Sequence, residues 1–141
     1  MSTIKVLLVD DTERDLRSLE RTLRIVDAEV DIVATAATGE EALGVAANVP
    51  FDVAVVDYKM PGMNGVEVAT RLKEIKPDCK VVVITAYDDA RGEIESSPAV
   101  DHYHEKISVD LLPEALHALT GREPVGAAAG TEKKRGLFRR G

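Results

Sequence analysis

The sequence predicts an α/β protein: five strands in one parallel sheet, with helices on both faces. Three observations carry this. Apolar runs of strand length alternate five times with stretches of helical character, most with apolar residues every three or four positions. The runs at 4–9, 52–57 and 80–85 are apolar almost throughout, as strands covered on both sides are. Three of the helical stretches open with a polar residue three positions before an acidic one, the pattern of a capped helix start. Strands repeated in this way pair in parallel through right-handed crossovers.

"IKVLLV" (4–9) is the first strand, and Leu16, Leu19, Leu23 and Val26 mark one face of the first helix. "VDIVATA" (30–36) is the second strand. "GEEALGVAANV" (39–49) follows as a helix with Ala42, Val45, Ala46 and Val49 on one side. "DVAVVD" (52–57), "VEVATRLKEI" (66–75) and "KVVVIT" (80–85) supply the third strand, third helix and fourth strand. The pairs Thr12–Asp15, Thr38–Glu41 and Asn64–Glu67 have the capping-box shape. The fourth helix, 88–97, is poor: Gly92 interrupts it and Ala90 and Ile94 are nearly its whole apolar content. "AVDHYH" (99–104) is a short fifth strand. Pro113 would break a closing helix begun at Ser108; if Asp110 caps the helix 111–120, Pro113 falls in the first turn, where it is tolerated.

With 141 residues the chain suits one domain and a tail, here 1–120 and 121–141. Hydrophobic residues make up 45% and charged residues 30%, ordinary for a globular core. No apolar run reaches membrane-spanning length, the N-terminus has no secretory pattern, and the single Cys79 can form no intrachain disulfide. These point to the cytoplasm and exclude a cysteine metal cluster. Net charge is −7, but residues 131–141 carry +4, so the remainder carries −11. An acidic body argues against direct nucleic-acid binding. Leu137 and Phe138 could help the basic tail touch an anionic membrane; a flexible, solvated end is the reading preferred.

Ligands of an open parallel sheet bind at the carboxyl ends of its strands. The first strand ends at Asp10 and Asp11, the third at Asp57 and the fourth at Thr85, and the fifth leads to Lys106. Three carboxylates at one edge need a cation or a proton. Oxygen ligands suit a hard ion such as Mg²⁺. Thr85 and Lys106 can hold the outer oxygens of a phosphoryl group, and a carboxylate can be its nucleophilic acceptor.

"IKVLLVDD", "VVDYKMPGMNG", "VVVITAY" and "HYHEK", in that order, resemble the receiver domain of bacterial response regulators over about residues 4–120. The resemblance implies a flavodoxin-like fold with strand order 2-1-3-4-5. It implies that Asp57 is the phosphoacceptor and that Asp10, Asp11, Asp57 and the backbone carbonyl of Lys59 bind Mg²⁺. It makes Thr85 the switch hydroxyl, Lys106 the phosphate-binding lysine and Tyr103 the switch aromatic. The implied role is a stand-alone switch, not an enzyme beyond its own phosphorylation and slow dephosphorylation. A histidine kinase or phosphotransfer protein would be the donor. The surface of the fourth helix, fifth strand and fifth helix would be read by a downstream protein.

Some residues depart from the family pattern. Ile107 stands where proline usually follows the lysine, and a cis bond without proline costs roughly 2.5–4 kcal/mol. Either this loop is trans and Lys106 sits differently, or strain is stored there. Ala99–Val100 replaces the usual Gly-Ala, and His104 stands where an apolar residue is common. Lys59 and Tyr87, each two positions after a site residue, are expected to slow the approach of water to the acyl phosphate. "HYH" (102–104) could present two imidazoles on one strand face but lacks a third metal ligand in the sequence; His117 and Cys79 read as ordinary helix and packing residues. A phosphate-independent binding module is the alternative. A Mg²⁺ phosphatase of the haloacid type would want a second Asp where Lys59 stands.

Overall fold

Five parallel strands form one sheet in the order β2–β1–β3–β4–β5, with β1 Ile4–Val9, β2 Val30–Ala36, β3 Val53–Asp57, β4 Lys80–Thr85 and β5 His102–Glu105. The architecture is that of a computed structural model, which describes residues 3–86 and 90–121. The helices are α1 Glu13–Val26, α2 Gly39–Asn48, α3 Gly65–Ile75, α4 Arg91–Ser96 and α5 Leu112–Thr120, with a 3₁₀ segment at Lys106–Leu111.

The apolar strands explain the layering. Leu7, Val9, Ala54, Val56, Val81 and Val83 face a core shared with α2, α3 and α4 through Ala42, Leu72 and Ile94. Val6, Leu8, Val53, Val55, Val82 and Ile84 face a second core shared with α1 and α5 through Leu19, Leu23, Leu112 and Leu116. Alternate residues of one strand thus enter opposite cores, which is why a continuous apolar run is required. Strand order reverses between β1 and β3, and both end at the same edge.

Helix starts follow the side chains available. Asn64 and Glu67 make a complete capping box. The Thr38 hydroxyl accepts from the Glu41 amide, but the Glu41 carboxylate accepts from Ala37 instead of Thr38. The box expected at Thr12 and Asp15 does not form. Asp15 turns instead to the ammonium of Lys106, a charge-assisted bond stronger than a cap to a neutral amide.

Boundaries shift at the weak end of the sheet. α4 is Arg91–Ser96 with Ala90 as its N-cap, and residues 88 and 89 of the stretch expected lie outside the described residues. Ala99 and Val100 lie in a turn held by Ser97, whose hydroxyl and carbonyl accept from their amides, so β5 starts only at His102. Asp110 does not cap α5. The backbone is already wound as 3₁₀ there, Leu111 is the N-cap, and Pro113 sits in the first turn as expected. Gly121, at φ +74°, closes α5 in the left-handed conformation that glycine tolerates. Tyr87 and residues 122–141 lie outside the described residues, and so do the expectations placed on them.

Candidate functional site

Strand register assembles the site. β1 ends one residue before Asp10, and Asp57 pairs with Ile84, so Thr85 emerges one step beyond. Thr85 pairs with Glu105, which puts Lys106 next along the same edge. Asp10, Asp57 and Thr85 are buried, with 1%, 5% and 2% exposure, whereas Asp11 is exposed.

One oxygen each from Asp10, Asp11 and Asp57 lie within 4.8 Å of one another. Lys106 Nζ enters this group: it is 2.9 Å from Asp10 Oδ2, 3.1 Å from Asp15 Oδ2 and 3.5 Å from Asp57 Oδ1. Asp10 is fixed from its other oxygen, which accepts from the Thr12 amide at 3.0 Å. Burial, and then the charge of Asp10, push the Asp57 carboxyl up to about 6, against an opposing pull from Lys106. The same carboxylates raise the Lys106 ammonium above its ordinary value, although burial alone would lower it. Three converging carboxylates whose charge is only partly met by one lysine fit a hard divalent cation with oxygen ligands.

The turn after β3 explains its glycines. Gly62 takes φ +84°. Gly65 opens α3 against the strand end: a Cβ there would lie 2.8 Å from the Asp57 carbonyl oxygen and 2.9 Å from Tyr58 Cα. Both neighbours are backbone, so Gly65→Ala must move the segment that carries Asp57. A loss of about 1–3 kcal/mol is expected, read as a lower urea midpoint. An unchanged midpoint would show that the strand end gives way at no cost.

Lys106 reaches the carboxylates without unusual backbone. No cis peptide bond occurs among the described residues, and Ile107 is 87% exposed. Of the two alternatives for this loop, the trans one holds, with Lys106 Nζ closer to Asp10 and Asp15 than to Asp57. Tyr103 is half-buried against the α2–α3–α4 core, its hydroxyl is buried, and the Arg91 guanidinium lies 4.8 Å from its ring centroid. His102 and His104 share a strand face, with His102 Nε2 and His104 Nδ1 3.0 Å apart. Cys79 is a buried core residue, and burial pushes its thiol up. Lys59 is exposed.

Three arrangements were not legible in the sequence. Asp15 joins the lysine, a pairing across 91 positions. The Tyr58 hydroxyl, one residue after Asp57, donates to Glu93 of α4. His117, expected to have no special role, is 3% exposed and bonded to Asp27. Each pairs residues far apart in the chain, and only the Asp15 contact has a nearby cue, the acidic first turn.

Fold and site define a class: an open parallel α/β protein with an acidic, lysine-bridged crevice at its strand ends. The family can be named more closely. The family model of the response regulator receiver domain matches residues 6–116, and the chain belongs to that family. It is 34% identical over 120 residues to the cyclic di-GMP phosphodiesterase of Thermotoga maritima, covering 83% of this chain and 31% of that protein. It is 30% identical over 118 residues to sporulation initiation phosphotransferase F of Bacillus subtilis, covering 82% of this chain and 93% of that one. Among solved structures it resembles the response regulator protein TrrA from Thermotoga maritima in complex with Mg²⁺ and BeF, at TM-score 0.74 and 34% identity over 83% of this chain and 99% of that one. The chain thus spans about a third of the phosphodiesterase and nearly all of the phosphotransferase. Among the described residues no helix is long and apolar enough to cross a membrane.

Proposed function

We propose that the chain is a phosphorylation-controlled switch that accepts a phosphoryl group on Asp57 from a phosphohistidine of a histidine kinase or phosphotransfer protein. The observation that carries this is the buried Asp57 carboxylate with the Lys106 ammonium at 3.5 Å and Asp10 and Asp11 beside it. An Asp57 oxygen attacks phosphorus, the P–N bond to the donor imidazole breaks, and that nitrogen takes a proton. Lys106 and the Thr85 hydroxyl hold the outer phosphoryl oxygens. Held by Asp10, Asp11, Asp57 and the Lys59 carbonyl, Mg²⁺ would neutralise charge on the transferring group. Later hydrolysis of the acyl phosphate returns Asp57, so the only reaction is the chain's own cycle.

The readout surface is α4, β5 and α5. Two contacts support this placement: Tyr58–Glu93 ties the segment after Asp57 to α4, and Arg91 on Tyr103 ties α4 to β5. Thr85 moves toward the phosphoryl group, and the packing of Tyr103 against α4 changes with it. α4 is only six residues long and has one buried apolar residue, Ile94, so it is the element least costly to move.

Beryllofluoride with Mg²⁺ tests the reading, because it can occupy an aspartyl phosphate site without chemistry. New bound ¹⁹F signals are expected, together with amide shifts at Thr85, Tyr103 and Ile94, and none in Asp57→Asn. Binding that leaves the amides of α4 and β5 unmoved would favour the phosphate-independent binding module.

A further inference from the structure

We propose that Asp27, Glu29 and His117 form a second metal site, one that takes a single zinc ion. It lies away from the phosphoacceptor. Asp27 caps the C-terminal end of α1, and the Glu29 carbonyl accepts from the Ile4 amide at the start of β1. That is the opposite end of the sheet from Asp57. His117 reaches the same place from the last turn of α5.

The donors already converge. One ligand atom from each residue lies within 4.8 Å of the others. His117 Nε2 is 2.7 Å from Asp27 Oδ2 and 3.8 Å from Glu29 Oε1. Bonds of about 2.0–2.1 Å in tetrahedral geometry place donors about 3.4 Å apart, so the two separations bracket the required one. Asp27 is pre-set for the task, because its Oδ1 accepts from the Glu29 amide at 2.8 Å and leaves Oδ2 turned to the imidazole. Two carboxylates converging on one ring nitrogen call for positive charge between them.

Chemistry selects the ion. One imidazole and two carboxylates suit zinc better than Mg²⁺, which prefers oxygen alone and keeps its waters. The Asp27 and Glu29 side chains are 16% and 22% exposed while that of His117 is 4% exposed, so the open side faces water, which supplies the fourth ligand. Binding moves the imidazole proton to Nδ1, a buried atom with no hydrogen-bond partner among the described residues. The missing outer partner makes the site looser than a fully supported one, by about 10–100-fold.

Zinc binding to the full chain, measured by competition with a chromophoric chelator, tests this. The wild type is expected to hold one zinc equivalent that Asp27→Asn and Glu29→Gln each weaken at least tenfold, while His102→Gln keeps it. Cobalt at the same site should show a tetrahedral visible absorption, lost in both variants. Absence of binding, or an affinity unchanged in folded Glu29→Gln, would overturn the proposal. Glu29, the more exposed of the two carboxylates, keeps the test valid even if Asp27→Asn does not fold.

Discussion

Incubated with Mg²⁺ and acetyl phosphate, the chain is expected to gain the mass of one phosphoryl group, and Asp57→Asn is expected to gain none. Three carboxylates compete for the group. Asp10 is as buried as Asp57, but both its oxygens are engaged, by the Thr12 amide and by Lys106. Asp11 is exposed. Asp57 sits at the strand end with one oxygen 3.5 Å from Lys106. Its carboxyl, pushed up to about 6, is still mostly ionised at pH 7 and is more basic than an ordinary aspartate. Lys106→Ala should not move the site of modification but should slow it about 10²–10³-fold, the usual loss when one donor to a developing oxyanion is removed. Intact mass against time distinguishes the two variants. A phosphoryl group found on Asp57→Asn, or none on the wild type with either acetyl phosphate or phosphohistidine donors, would defeat the assignment.

How much of this was legible depends on where the information lies. The three central strands could be read from the sequence because burial on both faces demands apolar residues at every position, as Val53 to Val56 show. Strand ends then fixed the depth of Asp10, Asp57 and Thr85. The α4–β5 region was less legible because little is buried there; Ser97 and not an apolar pattern sets where β5 begins. The cap expected at Thr12 and Asp15 is absent for an electrostatic reason. Asp15 has a neutral amide within local reach, but Lys106 offers a full charge from 91 residues away. His117 was missed because nothing local to α5 announces Asp27, which lies 90 positions earlier.

The same electrostatics predict opposite effects on stability in the metal-free protein. Asp57 has its carboxyl raised from 3.8 to about 6. Protonated, it is favoured by the fold. Its contribution is therefore full below about pH 4, is lost as pH rises through about 6, and stays lost at neutral pH. Asp57→Asn removes that loss and should stabilise the metal-free chain at pH 7 by up to about 3 kcal/mol, the gain vanishing near pH 4. Lys106→Met should do the reverse. It leaves Asp10 and Asp57, with side chains 0% and 8% exposed, without their cation, at a cost of about 3–5 kcal/mol above pH 6. Mg²⁺ should recover much of that cost, because an ion bound only by the folded state adds about 2.7 kcal/mol at a hundredfold excess over its Kd. Urea melts at pH 4 and 7, with and without Mg²⁺, measure all four quantities. If Asp57→Asn were destabilising at pH 7 without metal, burial beside Asp10 would not be what the fold pays for at Asp57. If it is stabilising, the proposed phosphoacceptor is also the residue the fold holds at a loss, and a cation bound there would supply the positive charge that the carboxylates lack and that an anionic phosphoryl group needs.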